Sequence, residues 1–373
     1  MSLRGYRSPV HQPLAIRSDN PAMSIRSFAR NLRRHALLLA GAVLLSSCVA
    51  MEGDDRHLQP LPVALVSQMS AKGMSPGDPI LVRIFKKESE LEVWKRDRSG
   101  RYALLKTYPM CRWSGQLGPK KREGDRQAPE GFYTVTAELM NPKSQFYLSF
   151  NLGYPNALEQ AQGFTGSALM VHGACTSAGC YAMTDEGVTE IYGLAREAFV
   201  GGQRSFQVQA LPFRMTPENM AAHRSNPNIV FWRNLKEGYD HFEATRRPPR
   251  LAYCERRYVF DPAEGAGPFV PGAACPIYEV EQDSRDLVAQ KRARDEERTA
   301  GLVASGTPAL SYALRDGGMH ESFRSLLRKM GPERMQTMVA GKVAISNPDA
   351  ALADPFVADP GERAQFTGSL PAQ

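Results

Sequence analysis

The segment Ala168–Met183, ALMVHGACTSAGCYAM, contains the features that decide the fold of this chain. An apolar run ends at His172, and Cys180 follows eight residues later, after a short polar loop. Thr184-Asp185 comes next and is typical of the start of a helix, because Thr caps helices well. The pattern predicts a strand, a tight loop and a helix entrance, with His172 and Cys180 at the two ends of the loop.

The loop has the residue types that a cysteine nucleophile requires. Such a nucleophile needs a base within hydrogen-bond reach and little bulk beside the sulfur, so that a substrate carbonyl can approach. His172 is placed to be the general base and acid, and Gly179 is the small neighbour. Backbone N–H groups around Gly179 and Cys180 can hold an oxyanion. We predict that Cys180 is the nucleophile and that His172 lowers the pKa of its thiol.

Two other chemistries remain open for the same loop. His172, Cys175 and Cys180 offer three soft zinc ligands, although most structural zinc sites have a tighter Cys-x2-Cys spacing. Cys175 also lies near enough to Cys180 for a redox-sensitive pair. Elsewhere, Cys254 with Cys275 closes a plausible loop, but the pairing of the remaining cysteines, Cys111 included, cannot be deduced from spacing. Our prediction for the site includes no metal and no cofactor.

His172-Gly173 followed by Ser177-Ala178-Gly179-Cys180 resembles the active-site signature of YkuD-type L,D-transpeptidases, which act on bacterial peptidoglycan. The YafK-like murein L,D-transpeptidase branch resembles it most, because its motif continues as Gly-Cys-Tyr-Ala-Met-Thr-Asp. The resemblance extends from about Leu61 to Phe260. Two features depart from the wider family. The spacing from His to Cys is short, and Ala178 stands where many members have a second His, so any substrate contact of that His must be made differently.

The resemblance implies a mixed α/β, mainly β, YkuD-like catalytic domain with flanking helices. It implies that Cys180 attacks an L-to-D peptide bond of a muropeptide stem, and that the Gly173 carbonyl orients His172. Ser177 is expected to support the loop. An amine acceptor would give a crosslink, whereas water would make the enzyme a hydrolase that can release a wall-linked protein. A non-catalytic wall-binding lipoprotein is a third interpretation.

Two groups of residues are candidates for substrate contact. Lys120, Lys121 and Arg122 lie in the loop-rich stretch 110–130, as either a solvated loop or cations that face peptidoglycan carboxylates. Tyr147 falls on a predicted strand, where it either lines the acyl-donor groove or packs as a core aromatic. The partners that the resemblance implies are peptidoglycan stem peptides and, for the hydrolase alternative, a wall-attached protein.

The remaining elements follow from hydrophobic periodicity. Strands are predicted at 80–85, 91–95 and 102–108, which form an antiparallel meander, and further strands at 132–138, 145–152, 205–210 and 253–260. Helices are predicted at 61–69, at 185–199, from Pro217 onward, and at 229–245.

Residues 1–48 have the composition of an N-terminal extension with an export signal. Arginines precede the apolar run 36–45, and Leu45-Ser-Ser-Cys48 is similar to a lipobox, with Cys48 as the lipidated residue. Met23 is an alternative start. We expect an exported periplasmic lipoprotein in the outer membrane, because Val49 is not the acidic residue that retains lipoproteins at the inner membrane.

The rest of the chain divides into a linker at 49–78, a catalytic domain at 79–215, a family C-terminal extension at 216–282, and a charged linker with a mobile tail at 283–373. Within this last part, 283–300 is either a solvated helix or a linker, and the mobile tail has one amphipathic piece at 321–330. The 373 residues carry a net charge of +7. No dense basic stripe with interleaved aromatics accompanies this charge, which argues against nucleic acid as a partner.

Overall fold

Two five-stranded sheets form the centre of the protein, which we describe from a computed structural model of residues 55–310 and 316–339. The strands are β1 (Ile80–Phe85), β2 (Glu90–Arg96), β3 (Tyr102–Pro109), β4 (Arg112–Trp113), β5 (Gly131–Thr136), β6 (Met140–Asn141), β7 (Ser149–Asn151), β8 (Met170–His172), β9 (Tyr181–Ala182), β10 (Ser205–Leu211), β11 (Leu251–Cys254) and β12 (Arg257–Phe260). The helices are α1 (Val63–Ala71), α2 (Ala157–Ala161), α3 (Asp185–Val200), α4 (Pro217–Ala222), α5 (Ile229–Thr245), α6 (Gln282–Ala304) and α7 (Glu321–Val339). The predicted mixed, mainly β architecture with flanking helices is confirmed.

The first sheet has the strand order β3-β2-β1-β10-β5. Its first three strands form the predicted antiparallel meander, and β10 joins them parallel to β1. All six residues of β1 are buried. A strand covered on both faces lacks the alternation of a half-exposed strand, and this explains the continuous apolar run in the sequence of β1.

The second sheet, β4-β9-β8-β7-β6, contains the segment with His172 and Cys180. β8 runs parallel to β9, with Val171 opposite Tyr181 and His172 opposite Ala182. Val171 and Tyr181 are fully buried in the main core. Because side chains alternate along a strand, His172 lies on the other face of this sheet.

Helix α3 fixes the end of the catalytic segment. It begins directly after β9, and the Thr184 hydroxyl accepts a hydrogen bond from the Gly187 N–H at 2.9 Å. Its apolar face, including Val188, Ile191 and Leu194, is buried in the main core. The predicted helix at 185–199 therefore exists, one residue longer than expected. Helix α5 has the predicted bounds of 229–245.

Two predicted strands are shorter or divided. The run 253–260 is a hairpin, because Glu255 and Arg256 both have positive φ and turn the chain between β11 and β12. Non-glycine residues rarely take this conformation, so the sequence carried no turn signal. The run 145–152 forms only β7, and Tyr147, with φ of +71°, lies in the preceding loop.

The charged run 283–300, predicted to be a solvated helix or a linker, lies in helix α6, which packs against α4 and α5. Lys236 and Asp240 of α5 form ion pairs with Asp295 and Lys291 of α6 at 2.5 and 3.2 Å. These side chains are largely buried, so the charges join two helices instead of facing solvent. A charge-dense sequence alone does not distinguish these two arrangements.

Residues 316–320 and helix α7, which we call the C-terminal clasp, also differ from the expected tail. Trp113 of β4 and Gly318 exchange backbone hydrogen bonds of 3.0 and 3.1 Å, and His320 N–H donates to the Met110 carbonyl at 3.0 Å. The clasp thus extends the second sheet at β4. Edge strands carry backbone groups that need partners, and the clasp supplies them.

Apolar side chains of the clasp surround the disulfide between Cys111 and Cys175; they are Met319, Phe323, Leu326, Leu327, Met330 and Met335. The carboxylate of Asp316 lies 3.2 Å from the fully buried guanidinium of Arg112. Residues 316–339 therefore pack against the catalytic domain, although we predicted a mobile tail outside it.

Within the described ranges, no helix is both long and apolar enough to cross a membrane. The predicted export signal and the lipidation site Cys48 lie outside the described residues and stay predictions.

Candidate active site

Cys180 is the one free cysteine among the residues that the structure describes. Cys111 is bonded to Cys175 and Cys254 to Cys275, so the pairing suggested for the latter two is present. The alternative of a redox pair between Cys175 and Cys180 is wrong. The N–H of Cys111 donates to Ala182 on β9, and this pairing places Cys111 beside the loop. The disulfide with Cys111 removes Cys175 from the three-ligand zinc set.

Ser177 holds the loop that carries Cys180. Its Oγ accepts hydrogen bonds from the N–H groups of Gly179 at 3.3 Å and Cys180 at 3.1 Å, and lies 2.7 Å from the Cys180 carbonyl oxygen. The hydroxyl of Ser114 lies 2.9 Å away. Gly179 has a φ of +133°, which an L side chain would strain. The N–H groups that we expected to face an oxyanion are therefore bonded to Ser177 in this structure.

His172 is buried, with 2% of its surface exposed. Its Nδ1 lies 2.6 Å from the Gly173 carbonyl oxygen, and its ring lies 4.7 Å from that of Phe146. A carbonyl can only accept, so Nδ1 carries the hydrogen and Nε2 is the basic nitrogen of the neutral ring. Burial lowers the pKa of His172 to about 4, although the Gly173 carbonyl favours the charged form. The imidazole is therefore neutral at pH 7.

The side chains of His172 and Cys180 share one face of the second sheet, since Cys180 precedes Tyr181 and Tyr181 faces the core. Within the described residues no hydrogen bond joins them. The sulfur lies 3.8 Å from the Ala168 carbonyl oxygen. Burial raises the pKa of the Cys180 thiol, and a backbone hydrogen bond of Met170 and the charge of Lys120 oppose this rise only in part. Our prediction of a lowered thiol pKa is therefore wrong for this structure, because it ignored burial.

The predicted substrate residues lie at different distances from this chemistry. Lys120 is buried, its Nζ donates to the Arg122 carbonyl at 2.8 Å and pairs with Asp125, and its charge acts on Cys180. Lys121 and Arg122 are exposed on the same loop. These placements bring Lys120, and not its two neighbours, into electrostatic contact with the thiol.

Tyr147 contacts the N-terminal segment instead of the thiol. Its ring centroid lies 5.2 Å from the guanidinium carbon of Arg56. The preceding residue, Phe146, is the aromatic that covers His172. The sequence analysis missed Phe146 because it assumed a regular strand, in which the two side chains would have pointed to opposite faces.

Two carboxylates near the loop were also missed as site residues. Asp185 accepts a hydrogen bond from the Ala174 N–H at 2.8 Å. Asp316 of the C-terminal clasp lies 3.1 Å from Arg126, whose guanidinium lies 3.5 Å from the Ser177 carbonyl oxygen. The sequence offered a signal for Asp185, its position beside the motif, but none for Asp316, which is more than 130 residues further along the chain.

Comparison with protein families gives a match to the L,D-transpeptidase catalytic domain, YkuD, over residues 79–204. A protein of Escherichia coli K12, provisionally named L,D-transpeptidase YafK, is 42% identical over 231 residues, which cover 61% of this chain and 90% of the relative. The protein of the same name in Escherichia coli O157:H7 matches equally.

Solved structures give weaker similarity. The helical cell shape determining protein Pgp2 of Campylobacter jejuni has a TM-score of 0.30 at 17% identity, covering 65% of this chain and 78% of that protein. Bd1075 of Bdellovibrio bacteriovorus has a TM-score of 0.26 at 18% identity, covering 36% and 49%.

Proposed function

This chain belongs to the L,D-transpeptidase family, and from this premise we propose that it is a murein L,D-transpeptidase with Cys180 as nucleophile and His172 as general base and acid. The observation that carries the proposal is the pairing of a half-buried free thiol with an imidazole whose tautomer is set by the Gly173 carbonyl. The hydrogen on Nδ1 leaves Nε2 to accept the thiol proton. The proposed chemistry uses no cofactor.

The proposed reaction begins with a neutral thiol and a neutral imidazole. His172 takes the proton of Cys180, and the sulfur attacks the carbonyl carbon of an L-to-D peptide bond in a stem peptide. The tetrahedral intermediate collapses when the C–N bond breaks and His172 gives its proton to the leaving D-amino acid. The product is a thioester on Cys180. An acceptor amine then attacks the thioester carbonyl while His172 takes a proton from its nitrogen. The C–S bond breaks as His172 gives that proton to the sulfur, which leaves a new amide and the free Cys180 thiol.

The oxyanion of the intermediate requires hydrogen-bond donors, and the candidate N–H groups of Gly179 and Cys180 donate to Ser177 in the absence of substrate. Of the two N–H groups bonded to Ser177, that of Gly179 makes the longer hydrogen bond, at 3.3 Å. Breaking this weaker bond so that the N–H can donate to the oxyanion costs less free energy. We assign the oxyanion contact to the N–H groups of Gly179 and Cys180, with Ser177 as the residue that keeps them together. Active-site hydrogen bonds commonly tighten only when substrate is bound.

The cationic loop supports an anionic substrate. Lys120 is neutralised by Asp125 but still acts on the sulfur, whereas Lys121 and Arg122 are exposed. We assign binding of stem-peptide carboxylates to Lys121 and Arg122, and a contact near the acyl donor to Lys120. Tyr147 stays a weaker candidate because its ring faces Arg56.

The proposed location is the periplasm, with a lipid on Cys48 as the anchor in the outer membrane. The basic residues and the short apolar run before Cys48 support this proposal. The two disulfides are consistent with it, because such bonds persist in oxidising compartments.

Mass spectrometry of intact sacculi incubated with the protein tests the proposal. Wild-type protein is expected to form a thioester on Cys180 and to release a D-amino acid. The Cys180→Ala variant is expected to do neither and to keep the wild-type melting temperature. Ala178→Ser is the matched control, since Ala178 is exposed in the same loop. New crosslinks would show transpeptidation, and shortened stems or a released wall-linked protein would show hydrolysis. Intact sacculi with no thioester would contradict an enzymatic function.

A further inference from the structure

One peptide unit beside the proposed base contacts two side chains at once. This unit joins Gly173 to Ala174. Its carbonyl oxygen lies 2.6 Å from Nδ1 of His172, and its N–H donates to Oδ1 of Asp185 at 2.8 Å. A single peptide bond thus connects the imidazole with a carboxylate.

The carboxylate does not act as the cap of its own helix. Asp185 is the first residue of α3, but the cap is Thr184, whose hydroxyl accepts the Gly187 N–H. The half-buried Asp185 is directed back to the loop instead. Burial raises its pKa, while the Ala174 N–H and the charge of Arg56 oppose that rise. A negative charge at this end of α3 is also favoured by the helix dipole.

Gly173 is the residue that allows this approach. A Cβ atom built at Gly173 would lie 2.6 Å from Oδ1 of Asp185 and 3.1 Å from the Phe146 carbonyl oxygen. The two following residues, Ala174 and Cys175, both have positive φ, at 66° and 49°. Non-glycine residues in this conformation are strained and persist only where their surroundings hold them. The bond from Ala174 to Asp185 is one such restraint.

Hydrogen bonds in series polarise one another. The negative charge of a carboxylate on the N–H side of a peptide shifts electron density of the amide toward the carbonyl oxygen. That oxygen then accepts a hydrogen bond more strongly. The charge-assisted bond is also stronger than a neutral one. In this series of hydrogen bonds, the polarised acceptor is the Gly173 carbonyl oxygen, which faces Nδ1 of His172. A stronger acceptor at that oxygen stabilises the ring when Nε2 has taken a proton.

We propose that Asp185 is a positioning residue that acts on His172 through the Gly173–Ala174 peptide, fixing the ring tautomer and favouring proton transfer from Cys180. The inference rests on the proposed function, in which His172 is the base. The arrangement corresponds to a Cys-His-Asp system in which a peptide bond separates the last two members. Other charges facing the system are Arg56 at the carboxylate and Lys120 at the sulfur.

The rate of alkylation of Cys180 by iodoacetamide, measured from pH 5 to 9 on the full chain and located by peptide mass spectrometry, tests the inference. Asp185→Asn retains the shape and an acceptor oxygen but removes the charge. We expect it to slow alkylation about fivefold near neutral pH and to move the midpoint of the profile upward, because a neutral acceptor polarises the peptide less. Glu186→Gln, an exposed neighbour in the same helical turn, should leave the profile unchanged.

A second measurement separates positioning from support of the loop. In protein labelled with 15N-histidine, the His172 ring signals, assigned with His172→Gln, report the tautomer and the ring pKa. Asp185→Asn is expected to lower that pKa, whereas a purely structural role would leave it where it is. Equal profiles and equal ring pKa values for Asp185→Asn, Glu186→Gln and wild type would overturn the inference. If His172→Gln also keeps the wild-type alkylation profile, the proposed function fails instead.

Discussion

Removal of the Asp316 carboxylate is expected to destabilise the protein substantially, because it leaves a buried charge without its carboxylate. The guanidinium of Arg112 has no exposed surface, and Asp316 is 20% exposed at 3.2 Å from it. Burial lowers the pKa of Arg112 to about 10, and Asp316 acts against this change. Asp316 also accepts the Gly115 N–H at 3.1 Å.

The size of the effect follows from these contacts. Removing one partner of a buried ion pair typically costs about 3–5 kcal/mol. Asp316 retains some contact with solvent, and Arg112 keeps bonds to backbone carbonyls of Asp316 and Gly318. We therefore expect Asp316→Ala to lower the free energy of unfolding by about 2–4 kcal/mol, or the melting temperature by roughly 3–6 °C for a protein of this size.

Urea unfolding followed by circular dichroism measures the loss, with Glu264→Ala as the matched control. Glu264 is 91% exposed and lies 3.5 Å from Arg250, so its removal should cost less than about 1 kcal/mol. The double variant Asp316→Ala/Arg112→Met removes the buried charge as well and should recover part of the loss. A double variant no more stable than Asp316→Ala would refute the reasoning that an unpaired buried guanidinium causes the loss. A wild-type melting curve for Asp316→Ala would show that this ion pair does not hold the C-terminal clasp.

Three further outcomes are expected. Cys111→Ser/Cys175→Ser should lower the free energy of unfolding by about 2–4 kcal/mol, because the lost bond joins residues 64 positions apart and restricts the unfolded chain; urea unfolding of the variant and of wild type measures the loss. Burial raises the pKa of Glu159, a buried residue of helix α2, to about 7, so the stability linked to its protonated form is fully present below about pH 4.5 and is lost as pH rises through 7. The free energy of unfolding, measured at pH 5 and pH 8, should therefore be higher for Glu159→Gln relative to wild type at pH 8 than at pH 5. Globomycin should cause accumulation of an unprocessed precursor, and Cys48→Ala should release the protein from membranes; a cytoplasmic, unprocessed chain would contradict the proposed location.

Local signals in the sequence were sufficient for most of the fold. Thr184 caps α3 as predicted, and helix α5 has the predicted bounds, because capping and periodicity are properties of neighbouring residues. The hairpin at Glu255-Arg256 was missed because its turn uses residues that rarely adopt positive φ. Local sequence could not predict the C-terminal clasp, since its contacts join residues about 200 positions apart.

The candidate site shows the same division between residue identity and environment. Residue types and spacing in the motif were enough to identify His172 and Cys180 as the candidate base and nucleophile. The motif did not predict the raised thiol pKa, since burial depends on the folded structure and not on residue types and spacing. It also left Asp185 as a helix-start residue, because its contact with Ala174 depends on how the loop folds back onto α3.

The pairing between β4 and residues 316–320 also determines when the protein can be completed. Every residue of the motif is synthesised long before residue 316, so a nascent chain holds Cys180 and His172 while the backbone of β4 still lacks its neighbour. Closing such a long stretch of chain costs conformational entropy and slows folding. A chain truncated before residue 316 would keep the whole motif but present an open strand edge, to which another such chain can add. Residues 316–320, made late in synthesis, thus protect the edge of the second sheet from pairing with another copy of the chain.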